Sequence, residues 1–259
     1  MSARIAKCFE TLRKKNEKAL IAFVTAGDPT PGENIALIQT LISAGVDIIE
    51  IGMPFSDAMA DGPVIQRANA RALAAGMNLE KMLHLVEQVR AFSEIPLVAM
   101  GYANPVLRYG RQRFRRDFLA AGGDGLLIVD EPLEEMAPSA DNLDDIFLVS
   151  PTTTPERFRA MLPMARGYLY YISMEGVTGS ALSQIAVTQK RTGEFRRKTK
   201  LPLVVGFGIR SPEQARALGQ NSDGVVVGSA LIEMLEGRPF AQACVMIGEL
   251  AASLKAALR

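Results

Sequence analysis

Short apolar runs recur along the chain, and each gap between them leaves room for one helix. They occupy residues 20–25, 46–52, 97–101, 125–129, 146–149, 168–172, 203–206 and 224–228. Most are unbroken stretches of valine, isoleucine and leucine. This pattern predicts parallel strands covered on both faces. Segments 34–44, 79–92, 111–121 and 212–218 space their apolar residues as helices do. Strand–helix alternation of this kind predicts βα units in a parallel sheet. Three strand entries look alike: Ala44-Gly45-Val46-Asp47, Ala121-Gly122-Gly123-Asp124 and Asn221-Ser222-Asp223-Gly224. Each reads as a helix C-cap feeding a strand. Eight runs in 259 residues, with this weak repetition, predict a single-domain (β/α)8 TIM barrel. The first twenty residues add an amphipathic N-terminal helix. An open doubly wound sheet usually has fewer strands, and its nucleotide-binding glycine pattern after the first strand is absent.

Composition narrows the function. Apolar residues make up 48%, enough for a large core. The 29 basic and 28 acidic residues balance to +1, so no general attraction to nucleic acid or anionic membrane is expected. Cys8 and Cys244 are far apart in sequence, with no disulfide framework and no metal-ligand spacing. No run is long enough to be read as a membrane span, and a cytoplasmic location is expected. With one histidine, His84, and no tryptophan, any acid/base chemistry falls to carboxylates.

Two carboxylates stand out. Glu50 lies late in the run 46–51, and strand alternation puts it on one face with Val46 and Ile48, opposite Asp47, Ile49 and Ile51. A carboxylate aligned with core positions is costly unless paired, protonated or in use. Burial would raise its pKa and suit it to proton transfer near neutrality. Asp61 closes the loop that follows, where Gly52, Pro54, Gly62 and Pro63 fix unusual backbone angles. A structural Glu held by hydroxyls and a turn-forming Asp would leave the same spacing.

Glycines mark three late strand ends: 176–179, 206–209 and 228–230. Such loops hold phosphate in many barrels, although turns alone also use glycine. Ser229 is placed as an N-cap. Phe23, Met100, Tyr102, Leu127, Leu148 and Tyr170 fall on strands or their ends and could line an apolar pocket or simply be core. His84 reads as a helix residue without catalytic role. Arg108, Arg111, Arg113, Arg115 and Arg116 read as a solvated helix face or an acceptor for an acidic partner. Residues 131–145 read as a short helix and a loop.

Phe23-Val24-Thr25-Ala26-Gly27-Asp28-Pro29, the block from Glu50 to Gln66, Tyr102-Ala103-Asn104-Pro105 and the three glycine segments together resemble the tryptophan synthase alpha chain family. The resemblance runs in order along the chain. It implies cleavage of indole-3-glycerol phosphate to indole and glyceraldehyde 3-phosphate, a retro-aldol reaction with no cofactor in this chain. By motif position, Glu50 resembles the general acid/base and Asp61 the residue that holds the indole N–H. Phe23, Tyr102, Leu127 and Tyr170 would shape the pocket. Thr178, Gly179, Phe207, Gly208, Gly228 and Ser229 would complete the substrate site. The family's partner is a beta chain carrying pyridoxal phosphate, in an α2β2 complex, and Asp57, Gln66, Asn104, Pro105 and Arg108 would face it. A stand-alone lyase and a non-catalytic regulator of the beta chain are the alternatives. Ala58 stands where many members carry proline, Met174 where some carry a basic residue, and the segment after Pro132 is shorter than usual, which implies a reduced fourth helix.

Overall fold

The computed structural model describes residues 2–136, 138–172, 181–206 and 208–259. Among the described residues nine parallel strands form one sheet: β1 (Ala19–Thr25), β2 (Ile48–Gly52), β3 (Leu97–Gly101), β4 (Gly125–Ile128), β5 (Asp144–Asp145), β6 (Phe147–Val149), β7 (Leu169–Ile172), β8 (Leu203–Gly206) and β9 (Gly224–Val227). β1 pairs with both β2 and β9, so the sheet curls into a ring. The ring closes through the chain itself. β5 pairs with β4, β6 pairs with β7, and only Ile146 separates them. The Ile146 N–H still donates to Leu126 O at 2.8 Å, so residues 144–149 occupy one barrel position. Eight positions result, as the sequence predicts, with the fifth broken in two.

The helices are α1 (Ala3–Lys15), α2 (Pro31–Ser43), α3 (Pro63–Ala74), α4 (Leu79–Arg90), α5 (Ala103–Tyr109), α6 (Arg111–Ala120), α7 (Pro155–Met161), α8 (Ala181–Arg196), α9 (Pro212–Gly219), α10 (Ser229–Glu233) and α11 (Phe240–Ala257). The connection from β4 to β5 holds only a 3-10 turn at Leu133–Glu135 among the described residues. That is the reduction which the shortened segment implies. α11 is long and apolar enough to cross a membrane, with a mean hydropathy of 1.2, but it packs on α2, α9 and β1 as a barrel helix.

Alternation along the strands sorts the core into two layers. Ile49 and Ile51 join the layer between sheet and helices, whereas Ile48 points into the barrel with Ile21, Val98, Leu127, Tyr168 and Val204. Val46 departs from the expected register. It precedes the strand and packs in the outer layer, because β2 begins only at Ile48. α1 closes the end where the strands begin. Its Ile5, Phe9 and Leu12, at helical spacing, complete the interior cluster.

The three similar strand entries do one job. Asp47, Asp124 and Asp223 each accept the backbone N–H of a neighbouring strand, from Leu20, Leu97 and Leu203 at 2.8, 2.9 and 3.0 Å. Each also pairs with a cation, Lys255, Arg90 and Arg196 respectively. A carboxylate at this position satisfies a backbone donor that would otherwise be stranded at the barrel floor.

Candidate active site

Glu50 sits mid-strand in β2, in register with Phe23 on one side and Val98 on the other. Its inward parity leaves it fully buried, at 0% exposure. Tyr168, immediately before β7, donates its hydroxyl to Glu50 Oε1 at 2.7 Å. Oε2 is buried with no hydrogen-bond partner among the described residues. Burial pushes the carboxyl up to about 7, and the Tyr168 hydrogen bond only partly offsets it. Among the described residues a single phenol serves two carboxylate oxygens, too little to hold a full charge in this setting. Tyr168 is itself held from below by Phe9 of α1, with ring centroids 5.8 Å apart.

Asp61 ends the loop that leaves β2. The Ala60 N–H donates to the Tyr102 hydroxyl at 3.0 Å, which ties the loop to the end of β3. Gln66 on α3 donates to Ala58 O at 3.3 Å and to Asp61 O at 3.0 Å. Asn69, one turn further along α3, donates to Asp61 Oδ2 at 3.5 Å. Burial raises the Asp61 pKa, and hydrogen bonds from Tyr102 and Asn69 act against that rise. Phe55 packs on Tyr102, and Ala58 is buried beneath the loop. Tyr170 is buried too, and burial, with the charges of Glu50 and Asp61 behind it, raises its phenol well above 10.

Glycines at the strand ends leave room for these rings. A Cβ on Gly52 would overlap the Phe23 ring, and one on Gly206 would overlap the Tyr170 hydroxyl. A Cβ on Gly228 would meet Phe23 at 3.1 Å. Phe23, Gly52, Asp61, Met100, Tyr102 and Val129 line a narrow cleft at the strand ends. Larger hollows lie elsewhere, beside α6 and below α1. We place the site at the small one because Asp61 and Asn69 line it, its Phe23 stands in register with Glu50, and the strands present their C-terminal ends there.

The structure brings Glu50, Asp61, Phe23, Tyr102 and Tyr170 together. Leu127 lies in the barrel interior, fully buried beside Tyr168. Gly208 follows β8 in the left-handed region, at φ 58°. Ser229 is not an N-cap. The helix α10 begins at Ser229 itself, Gly228 takes the cap position, and no side chain caps it. Thr178, Gly179 and Phe207 lie outside the described residues, as does Met174. Sequence reasoning missed Tyr168 and Asn69. Tyr168 shares the strand face of Tyr170 two residues away, and Asn69 is a polar residue inside the buried stripe Ile65, Ala68 and Ala72, so both signals were present.

Asp57, Gln66, Asn104 and Arg108 are exposed, and Pro105 is partly so. His84 is exposed, with Glu87 at 3.2 Å. The arginine cluster is less solvated than expected. Arg115 is largely buried between Asp141 and Asp145, and Arg111 pairs with Glu131, while Arg108, Arg113 and Arg116 remain outside. Among the described residues no group of histidine, cysteine and carboxylate side chains could hold a metal ion.

The family model described as tryptophan synthase alpha chain matches residues 9–257. The tryptophan synthase alpha chain of Desulfatibacillum aliphaticivorans is 47% identical over 264 residues, covering 98% of both chains. That of Cupriavidus taiwanensis is 45% identical, covering 99% of both. Among solved structures, tryptophan synthase subunit alpha from Legionella pneumophila superposes with a TM-score of 0.90 at 38% identity, covering 100% of this chain and 98% of that one. Tryptophan synthase from Mycobacterium tuberculosis gives 0.88 at 36%, covering 100% and 99%. A barrel with a buried, half-satisfied glutamate and a tethered loop aspartate, matched end to end in sequence and shape, belongs to the tryptophan synthase alpha chain family.

Proposed function

We propose that this chain, as one catalytic domain, cleaves indole-3-glycerol phosphate to indole and glyceraldehyde 3-phosphate, with Glu50 as general acid/base. The observation that carries the assignment is a fully buried carboxyl, its pKa raised to about 7, with one oxygen that has no partner among the described residues. Breaking a carbon–carbon bond to indole requires a proton on the ring carbon, because the unprotonated ring is a poor leaving carbanion. A glutamic acid whose pKa lies at about 7 still holds its proton in a large share of molecules at neutral pH and can supply it, and its carboxylate then takes one from the glycerol hydroxyl. Asp61, held by Tyr102 and Asn69, accepts the indole N–H and stabilises positive charge on the ring. Phe23 and Tyr170 flank the ring. The phosphate goes to the glycine ends of β8 and β9, with Gly208, Gly228 and Ser229 of this chain and Thr178, Gly179 and Phe207 by motif. The chemistry asks for no cofactor in this chain.

The test is cleavage by Glu50→Gln, with and without the beta chain. Loss of about 10²–10⁴-fold in kcat with an unchanged fold is expected, and near-normal turnover would remove the assignment. Activity of the wild type without a partner separates a complex-bound enzyme from a stand-alone one.

The partner reading rests on two exposed apolar side chains at the same end. Met59 is 90% exposed at the tip of the Asp61 loop, and Leu107 is 55% exposed on α5. Phe55, Asn104, Pro105 and Arg108 border a groove beside them. Exposed polar residues accompany them: Asp57 and Gln66, which donates to Ala58 O, at the Met59 loop, and Asn104 and Arg108 on either side of Leu107 on α5. We place the beta chain, with its pyridoxal phosphate, here, in an α2β2 assembly, and the complex in the cytoplasm. Met59→Lys should weaken association at least tenfold by titration calorimetry while leaving the isolated chain's cleavage unchanged. Undiminished affinity would move the interface elsewhere.

A further inference from the structure

Asp28 follows β1, is 1% exposed, and has both carboxylate oxygens clamped by Arg71 of α3, at 2.7 and 3.0 Å. The remaining Arg71 nitrogen, Nη1, donates to Glu236 Oε1 at 2.9 Å. Arg67, one turn earlier on α3, clamps both oxygens of the same Glu236 at 2.9 and 2.8 Å. Glu236 lies three residues past the end of α10, whose first residue is Ser229. The four charges therefore fasten together three segments that meet at the barrel mouth. They are the end of β1, which carries Phe23, the helix α3, and the segment that starts at Gly228–Ser229.

α3 is also the helix that holds Asp61. Gln66 and Asn69 take the backbone and side chain of that loop, while Arg67 and Arg71 reach the other way to Glu236. One rigid element thus touches the loop aspartate on one side and the proposed phosphate segment on the other. Bidentate arginine–carboxylate pairs fix orientation as well as distance, which single hydrogen bonds do not. None of the four groups lines the site itself.

We propose that Asp28, Arg71, Glu236 and Arg67 are positioning residues that couple phosphate binding at the Gly228–Ser229 end to the placement of Asp61 against the indole ring. The proposal rests on the function given above and deepens it. The probes are indole and glycerol 3-phosphate, the two halves of the substrate, bound separately and together. Coupling is the factor by which one changes the affinity for the other. In the wild-type chain glycerol 3-phosphate should tighten indole binding by about fivefold or more. In Glu236→Gln each ligand alone should bind within about twofold of wild type, and the coupling should fall below about twofold. Arg67→Ala, which removes only the more exposed clamp, should lose part of the coupling. A merely structural role would reduce the folded fraction without changing this ratio. Coupling retained in full by Glu236→Gln, or absent from the wild type, would overturn the proposal. Wild-type cleavage of indole-3-glycerol phosphate is measured in parallel. If it fails, the function proposed above fails. If it succeeds without coupling, only the positioning role falls.

Discussion

Glu50 is placed where its charge is least welcome, and stability should report that cost. Its pKa is raised from 4.5 to about 7 on folding. Below pH 4.5 the folded and unfolded chains both hold the proton. Between 4.5 and 7 the unfolded chain releases it first, so stability falls as pH rises through this window, and the fall ends above 7. The difference amounts to roughly 3 kcal/mol. Glu50→Gln should therefore match wild type at pH 4 and exceed it by about that much at pH 8, read by urea unfolding. Parallel stability at both values would mean that the carboxyl is solvated in the fold. The burial of Glu50 was legible in the chain because a glutamate in phase with Ile48 must point inward. That no donor among the described residues reaches Oε2 was not, since a sequence does not say how many donors reach a buried group.

The strand entries show how much an element declares in advance. Their likeness was visible in the chain, and Gly45 and Gly122 do take positive φ, at 93° and 97°. The aspartate's task was not visible, because it joins residues 27 apart in the first two cases and 20 apart in the third. Asp124 is the most loaded of the three. It takes the Leu97 N–H, the Ser2 hydroxyl and the Arg90 guanidinium, and it is nearly inaccessible. Asp124→Ala would strand a backbone donor and a largely buried cation, so a loss of about 3–5 kcal/mol by urea unfolding is expected. A loss under about 1 kcal/mol would show that the entry is held by its backbone bonds alone. The fifth barrel position starts earlier than the run 146–149 predicts, for a related reason. Asp144 and Asp145 look like loop residues, yet both are buried and one pairs with Arg115. At the other end of the strands, Gly52 is the only residue that fits beside Phe23.

At the scale of the whole molecule, the site is sealed from the far end of the barrel. The line runs from α1 through Phe9 to Tyr168 and from Tyr168 to Glu50. Two substitutions along it should move the acid in opposite directions. Tyr168→Phe removes the one hydrogen bond among the described residues that favours the charged form, so the Glu50 pKa rises above about 7. Phe9→Ala opens a cavity under Tyr168, at a cost of about 3–5 kcal/mol, and lets water nearer to the carboxyl. Desolvation then weakens and the pKa falls toward 4.5. Since the proposed proton donor must be protonated, the alkaline limb of the kcat/KM profile should shift to higher pH in Tyr168→Phe and to lower pH in Phe9→Ala. Shifts of the same sign in both variants, or none in either, would show that the N-terminal helix supports the barrel without tuning the acid it closes over.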